Sequence, residues 1–442
     1  MKRRGLALLL SAGILTGLLG GCGNASQGNG QESSSQDQGE IQEDTQDGNT
    51  DVASQGETIT VWLPPYAGAD AELTDQEFWD SIFDSFEQEN NCTVKVEIVP
   101  WDGYGQKIIT GLTSGEGPDI VYTDKPYDLI KSGALDSLDN YFTQEELAQY
   151  PYYELGIVDD SQYLMPMMVG NAIVLYCNMD ILNEAGVEKV PTTWEELLDT
   201  AKKIKASGSQ AIPFLQAWGR SNAVGTIMTS FLPYYWQAGG EMLDAEGKVN
   251  INNEAGLKTL EYLKSFQTEG IFDDTITSVE EVGTLFENGE LAMIMDDTGG
   301  VRKLNENGIR WEFTDSLIGP GGQKATWVAA DALGLASNSK NKELAVKGMK
   351  YMLSAPVMDE FHDKFYAMQP VTVDAKYTDD EAFKELYTTN ADILHNWPAF
   401  ENSDSFYDVL YKNIQSMFMG DMEPQQVLDD TMEQYHTIVS VE

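Results

Sequence analysis

The sequence predicts an α/β protein built on a largely parallel sheet. Three observations carry this: from Glu57 onward short apolar runs alternate with stretches of helical periodicity, strand-like runs end in Pro or Gly, and helix-capping residues open the amphipathic stretches. At 42% apolar over 442 residues the chain can build a substantial core, and its length suggests two or three domains.

Taken in order, Ile59 and Val61 start a strand (59–62) that ends in the loop from Leu63 to Ala69. Thr74 and Glu77 are spaced as a capping box, after which Phe78, Ile82, Phe83 and Phe86 share one helical face. Val94, Val96 and Ile98 alternate as the next strand, closed by Pro100. A second helix opens at Pro191 and Thr193, with Glu196 as box partner, a stripe of Trp194, Leu197, Leu198, Ala201 and Ile204, and a stop at Gly208. Leu257, Leu260, Leu263 and Phe266 mark another helix, stopped by Gly270. Further strands are expected at 172–176, 291–295 and 332–336, and no repeat of solenoid length is present.

Charge narrows the function. With 27 Lys+Arg against 72 Asp+Glu the formal charge is -45, which disfavours nucleic acid and anionic membrane surfaces as partners. Three Cys with no CxxC pair, and His362, His395 and His436 scattered along the chain, give no metal site and no disulfide framework, so no metal or cofactor is expected. Cys92 and Cys177 are expected free and buried, a lone disulfide being the alternative. No H-E-x-x-H, G-x-S-x-G or P-loop motif is present.

Residues 1–21 carry Lys2, Arg3 and Arg4 ahead of a glycine-broken apolar run, the layout of a secretory signal peptide. The run stops at Leu19-Gly20-Gly21-Cys22, which resembles the lipobox of bacterial lipoproteins, in which the Cys sulfur is diacylated; an ordinary signal with a chance Cys is the alternative. From Gly23 to Gly56, seven Asp/Glu, seven Gln and no Lys, Arg or aromatic residue describe a disordered acidic tether over 22–56. As a flexible coil it would reach on the order of 30 Å.

Blocks in a recognisable order then follow: ITVW (59–62), TVKVEIVPWDGYGQKI (93–108), SGEGPDIVYTD (114–124), SGALDSLDNYF (132–142), the long run 165–204, QAGGEML (237–243), LFENGELAMIMDDTG (285–299), 332–354 and MQPVTVDA (368–375). In this order the chain resembles the extracellular solute-binding proteins of bacterial ABC importers, in the maltose-binding-like carbohydrate group. The chain departs at Cys177, where the family usually has Tyr before Asn, and at Asp296-Asp297-Thr298-Gly299, where it often has an aromatic. The resemblance implies a two-lobed periplasmic-binding-protein-like fold with a hinge of crossover segments near Asn171, Ala330 and Thr378 and an interlobe ligand cleft. It divides the chain into an N-terminal lobe, 57–170 plus 334–378, and a C-terminal lobe, 171–333 plus 379–442.

A sugar site needs aromatic platforms for C–H faces and carboxylates or amides for hydroxyls. Loops at strand ends supply the candidates: Tyr66 after the first strand, Trp101, Asp102 and Tyr104 after the second, and Asp124 after 120–123, with Asp119 read as structural. Trp218 and Arg220 follow AIPFLQ, and Trp218 is expected to be a loop aromatic, exposed in the open form. Trp236 belongs to an aromatic run with Tyr234 and Tyr235, whose successive helical positions cannot all face one cleft. From the resemblance come Asn171 at the first crossover, Asp297 after a buried strand, Trp327 and Asp331 flanking the second crossover, and Trp397, whereas Trp194 is read as core. The implied protein is not an enzyme: a lipid-anchored monomer outside the cell membrane of a bacterium, Gram-positive by expectation, it binds carbohydrate and presents it to the permease. A surface-attached carbohydrate-active enzyme, or the same fold binding a polyamine, metal complex or acidic sugar, are the competing readings.

Overall fold

Among the described residues, thirteen short strands are distributed over two hydrophobic bodies in the structure, a computed structural model. It describes residues 56–67, 71–101, 103–124, 126–218, 223–271, 279–365, 368–376, 379–398 and 400–440. The leader and Cys22, the tether up to residue 55, Asp102, Arg220 and Thr378 lie outside the described residues.

The strands are β1 (Thr58–Leu63), β2 (Thr93–Ile98), β3 (Ile120–Thr123), β4 (Leu135–Asp136), β5 (Ile157–Val158), β6 (Ser161–Gln162), β7 (Leu164–Gly170), β8 (Ile173–Asn178), β9 (Met293–Asp297), β10 (Trp311–Thr314), β11 (Thr326–Trp327), β12 (Ala329–Ala336) and β13 (Leu394–His395). One sheet has the order β2-β1-β3-β12-β4, with β7 also on β12. The pairs β1–β2 and β1–β3 are parallel, but β12 runs antiparallel to β3, β4 and β7. A second sheet, β10-β8-β9, is antiparallel throughout. Among the described strands, the expected parallel character therefore holds for β1 with β2 and β3 and for the short pair β11–β13. Apolar runs signal burial on both faces and carry no information about the direction of pairing.

The local predictions have clear physical causes. Helix Asp75–Asn90 starts with the full reciprocal box, the Glu77 amide donating to Thr74 Oγ1 at 3.2 Å and the Thr74 amide to Glu77 Oε2 at 3.0 Å. It buries Phe78, Ile82, Phe83 and Phe86 and also Trp79. Helix Trp194–Ser207 has half a box: Thr193 Oγ1 accepts from the Glu196 amide, while the Glu196 carboxylate accepts from the Thr192 amide instead. Asp119 is structural, its carboxylate accepting from the Thr60 amide and the Ser339 hydroxyl.

Strand β8 shows how the two cores meet. Val174 and Tyr176 pack into the cluster beneath the six-stranded sheet, whereas Ile173, Leu175 and Cys177 pack into the second, as the two-residue period of a strand dictates. Helices Trp194–Ser207, Leu232–Gln237, Glu254–Thr268, Ser403–Met419 and Pro424–Val439 supply much of the rest of the second cluster, joined by Met293 and Met295 of β9 and Trp327 of β11. Cys92 and Cys177 are both free, with Cys177 buried and Cys92 only half-buried. Among the described residues no cluster of ligating side chains could hold a metal ion, and no helix is long and apolar enough to cross a membrane.

Candidate functional site

The C-terminal ends of β1, β2 and β3 converge, where an open α/β sheet places ligands. Each end delivers a candidate. After β1, the Asp75 carboxylate clamps the loop by accepting from the Tyr66 amide at 2.7 Å and the Ala67 amide at 3.0 Å. The Tyr66 ring is thereby fixed edge-on to Phe361 at 5.3 Å and to Trp101 at 6.3 Å. After β2, Trp101 donates its indole N–H to the Pro65 carbonyl at 3.1 Å and stands edge-on to Tyr122 at 5.5 Å. It remains 51% exposed, so its ring is held in place yet open to solvent. Tyr104 is buried, its hydroxyl donating to the Trp62 carbonyl at 3.2 Å, so it acts as a wall behind Trp101 and not as a free hydrogen-bonding arm. Helix Tyr104–Ser114, which carries it, approaches β1 closely at Gly111, where a Cβ would lie 2.6 Å from the Trp62 ring.

After β3, Asp124 follows Thr123, which faces Ala332 on β12, and Asp331 precedes Ala332 on that strand. Tyr122 faces Leu333 on β12, two residues along from Asp331. Burial, and then the negative Asp124, push the Asp331 carboxyl up to about 7. Burial and the same Asp331 raise the Tyr66 hydroxyl above its ordinary range. A cavity of about 320 Å3 opens beside this group, running from Trp101, Tyr122 and Asp124 past Tyr127 and Asp128 to Ser403 and Asp404 at the start of helix Ser403–Met419. The Asn402 amide reaches Asp128 Oδ1 across it at 3.4 Å.

A second group lies at the chain crossings. Asn171, between β7 and β8, has φ +51, and its Oδ1 would lie 2.8 Å from a Cβ added to Gly299. The glycine therefore lets the turn after β9 approach the crossing. Asp297 caps that turn by accepting from the Gly299 amide at 2.8 Å, and Tyr387 ties it to the crossing through Thr298 and the Ala172 amide. Burial, then Asp297, push Asp296 up to about 7, and burial also raises Asp297. Trp327 is buried edge-on to Trp397 at 5.6 Å, with its Nε1 lacking a hydrogen-bond partner, and the half-buried Trp397 packs on Tyr407 at 5.0 Å.

Two candidates are corrected. Trp218 is only 2% exposed: its indole donates to Gln216 Oε1 at 2.8 Å, and its ring stacks on Phe418 at 5.4 Å beside Tyr411. It is a core residue because helix Ser403–Met419 covers it. Trp236 is likewise buried and stacked on His395 at 4.9 Å, and Tyr234 and Tyr235 are buried beside it. Reading the sequence did not single out Tyr122, Asp128 and Asp404, which also line the cavity beside Trp101; Tyr122 looks like an ordinary strand residue until its ring contacts with Trp101 and Tyr104 are known.

The chain belongs to the family of bacterial extracellular solute-binding proteins, whose model matches residues 70–359. It is similar to the diacetylchitobiose binding protein DasA of Streptomyces coelicolor, 24% identical over 368 residues, covering 80% of this chain and 79% of that one. A Brucella abortus protein whose name records binding without a ligand is 27% identical over 374 residues, covering 80% of this chain and 87% of that one. Among solved structures, maltose-bound MalE3 of T. maritima matches with a TM-score of 0.66 at 19% identity, over 87% of this chain and 100% of that one. An ABC substrate-binding protein of Listeria monocytogenes in complex with cycloalternan matches with a TM-score of 0.66 at 19% identity, over 87% and 99%. These likenesses establish the two-lobed binding-protein fold.

Proposed function

We propose that this solute-binding protein captures a carbohydrate, an oligosaccharide by preference, between two lobes and delivers it to an ABC permease. The observation that carries the reading is the half-exposed Trp101, fixed at a strand end by an aromatic frame, with Asp124 and Asp128 lining the same cavity. A fixed indole face suits the C–H surface of a sugar ring, and carboxylates accept from its hydroxyls. The sugar ligands named for several relatives support the same class. In this reading the lobes are 57–170 with 334–378 and 171–333 with 379–442. They rotate about the crossings near Asn171, Ala330 and Thr378, and the protein works as a monomer without catalysis. Cys22 carries lipid at the outer face of the membrane, and residues 23–56 form the tether. A thermal-shift screen against mono- and oligosaccharides tests the ligand class, since a ligand at 100 times its Kd adds about 2.7 kcal/mol. Stoichiometric binding without turnover is expected, and turnover of a bound oligosaccharide overturns the reading. Mass spectrometry of the native N-terminus should find a lipidated Cys22; an unmodified thiol there rejects the anchor.

A further inference from the structure

We propose that Tyr387 is a strut across the hinge, tied to Tyr152 on one side of the first chain crossing and to Ala172 on the other. It holds the two lobes in the arrangement described, and releasing it weakens sugar capture without any contact to the sugar. The inference rests on the two-lobe carbohydrate reading for its consequence, and on the hydrogen bonds at the crossing for its cause.

The first crossing runs from Gly170, the last residue of β7, to Ile173, the first of β8. Between them Asn171 has φ +51, in the left-handed region, and a residue at the end of an element is where hinge motion takes up a change in backbone angles. On the far side of it, the Ala172 amide donates to the Tyr387 hydroxyl at 2.9 Å, and the Thr298 hydroxyl shares a hydrogen bond with the same oxygen at 2.8 Å. The Thr298 amide also donates to the Ala172 carbonyl at 3.1 Å, which joins the crossing to the turn after β9 as one piece. On the near side, the Tyr152 hydroxyl donates to the Tyr387 carbonyl at 3.0 Å. Tyr387 ends helix Lys384–Tyr387, where a carbonyl has no partner inside its own helix, so Tyr152 fills an acceptor that the helix leaves open.

Both ends of the strut are anchored. Tyr152 directly precedes the turn Tyr153–Gly156, which lies so close to β7 that the Leu164 carbonyl leaves no room for a Cβ on Gly156. Gln162 fixes the same turn by donating to the Tyr153 carbonyl at 2.9 Å. The Tyr387 ring is buried in the cluster beneath the six-stranded sheet, and neither tyrosine lines the cavity beside Trp101. In the arrangement that the strut holds, the lobes meet across that cavity, where the Asn402 amide reaches Asp128. The third crossing has a separate tie: the Gln369 amide donates to the Val169 carbonyl at 3.0 Å and its side chain to Asp379 at 2.8 Å. Losing the strut therefore loosens the hinge without unmaking it. One neutral hydrogen bond is worth about fivefold in an equilibrium constant. The apparent Kd is the intrinsic one divided by the fraction of molecules in the competent arrangement, so it rises by the factor by which that fraction falls.

The test uses full-length protein with Tyr152→Phe, Tyr387→Phe and the two together, substitutions that keep each ring and remove only its hydroxyl. Spin labels carried by noncanonical amino acids at Thr113 and Lys412, exposed residues of helices Tyr104–Ser114 and Ser403–Met419, report the distance between the lobes without any sugar. The ratio of short to long distances should fall about fivefold in each single variant. The double variant should fall no further, because bonds in series fail when either is broken; losses that multiply identify two separate structural contacts and overturn the strut. Maltose, maltotriose and diacetylchitobiose are then titrated calorimetrically, and Kd should rise by the factor by which the short-distance fraction falls. A distance distribution that is the same in wild type and variants, or a Kd that stays constant while the distribution shifts, overturns the strut. If none of the three sugars binds while the distribution shifts as stated, the strut stands and it is the carbohydrate reading that fails.

Discussion

Trp101 and Trp218 follow similar stretches of sequence, each in a loop after an apolar run, yet one is half exposed and the other buried to 2%. The difference comes from what the rest of the chain lays over them. Trp101 is pinned from behind by Tyr66, Tyr104 and Tyr122, with its N–H spent on Pro65, and its outer face is left open. Trp218 is covered by Tyr411 and Phe418, from a helix almost two hundred residues further along. A loop aromatic thus becomes a platform or a core residue according to long-range packing. The largest expected effect breaks this comparison directly. Trp218→Ala should cost about 3–5 kcal/mol of stability, because it removes a large ring from a filled core. Chemical denaturation would check this, and a loss below about 1 kcal/mol would place Trp218 outside the core.

Trp101→Ala is the counterpart. Its exposed ring supports little core, so the melting temperature of the free protein should barely move. Affinity for a stacking sugar should fall by about 2–3 kcal/mol, on the order of a hundredfold, from lost area and lost stacking. Calorimetry on the wild type and the variant measures it. Unchanged affinity together with a large drop in stability would reverse the roles assigned to the two tryptophans.

The same contrast explains what was legible in the sequence. Helix Asp75–Asn90 and strands β1 and β2 could be read because caps and periodicity are local properties. Tyr66, Trp101 and Asp124 could be singled out as candidates because strand ends mark where an α/β sheet opens. The antiparallel course of β12 was not legible, since Ala332–Ala336 looks the same in either direction, and with it went the placing of Asp331 near the end of β3. Tyr122 was passed over for the same reason. In Trp218 the local signal was real, and the burying helix had no signature near it.

Carboxylates give a second comparison, between buried acids and acids on the surface. Asp296 titrates at about 7 and Asp379 at about 6 when folded, both raised chiefly by burial, whereas Glu77 and Glu146 on the surface are lowered, chiefly by the Thr74 amide and by Lys350 respectively. A raised acid stabilises the fold fully below its unfolded value near 3.9, and that contribution is lost as pH rises through the folded value. The surface acids act oppositely, losing their contribution as pH falls. Asp296→Asn should therefore be more stable than wild type at pH 8, on the order of 2 kcal/mol, with the difference shrinking to nothing by about pH 4. Denaturation curves across that range test it, and a difference that does not change with pH would mean Asp296 titrates normally.

The smallest effect separates the two capped helices. Thr74 closes a complete box on Glu77 and directly precedes Asp75, the clamp on the Tyr66 loop, whereas Thr193 caps its helix without reciprocity and touches no candidate site residue by hydrogen bond. Losing either Thr side chain removes one acceptor for a helix amide, so Thr74→Ala and Thr193→Ala should each cost about 1 kcal/mol. Their effects on binding should differ. Fraying at Thr74 loosens Asp75, frees the Tyr66 and Ala67 amides and lets the edge-on support of Trp101 drift, so affinity should fall about twofold, which corresponds to a few tenths of a kcal/mol. Fraying at Thr193 should leave affinity unchanged. Equal affinities for the two variants would show that the Tyr66 loop holds its shape without the cap, and that Trp101 is positioned by its hydrogen bond to Pro65 alone.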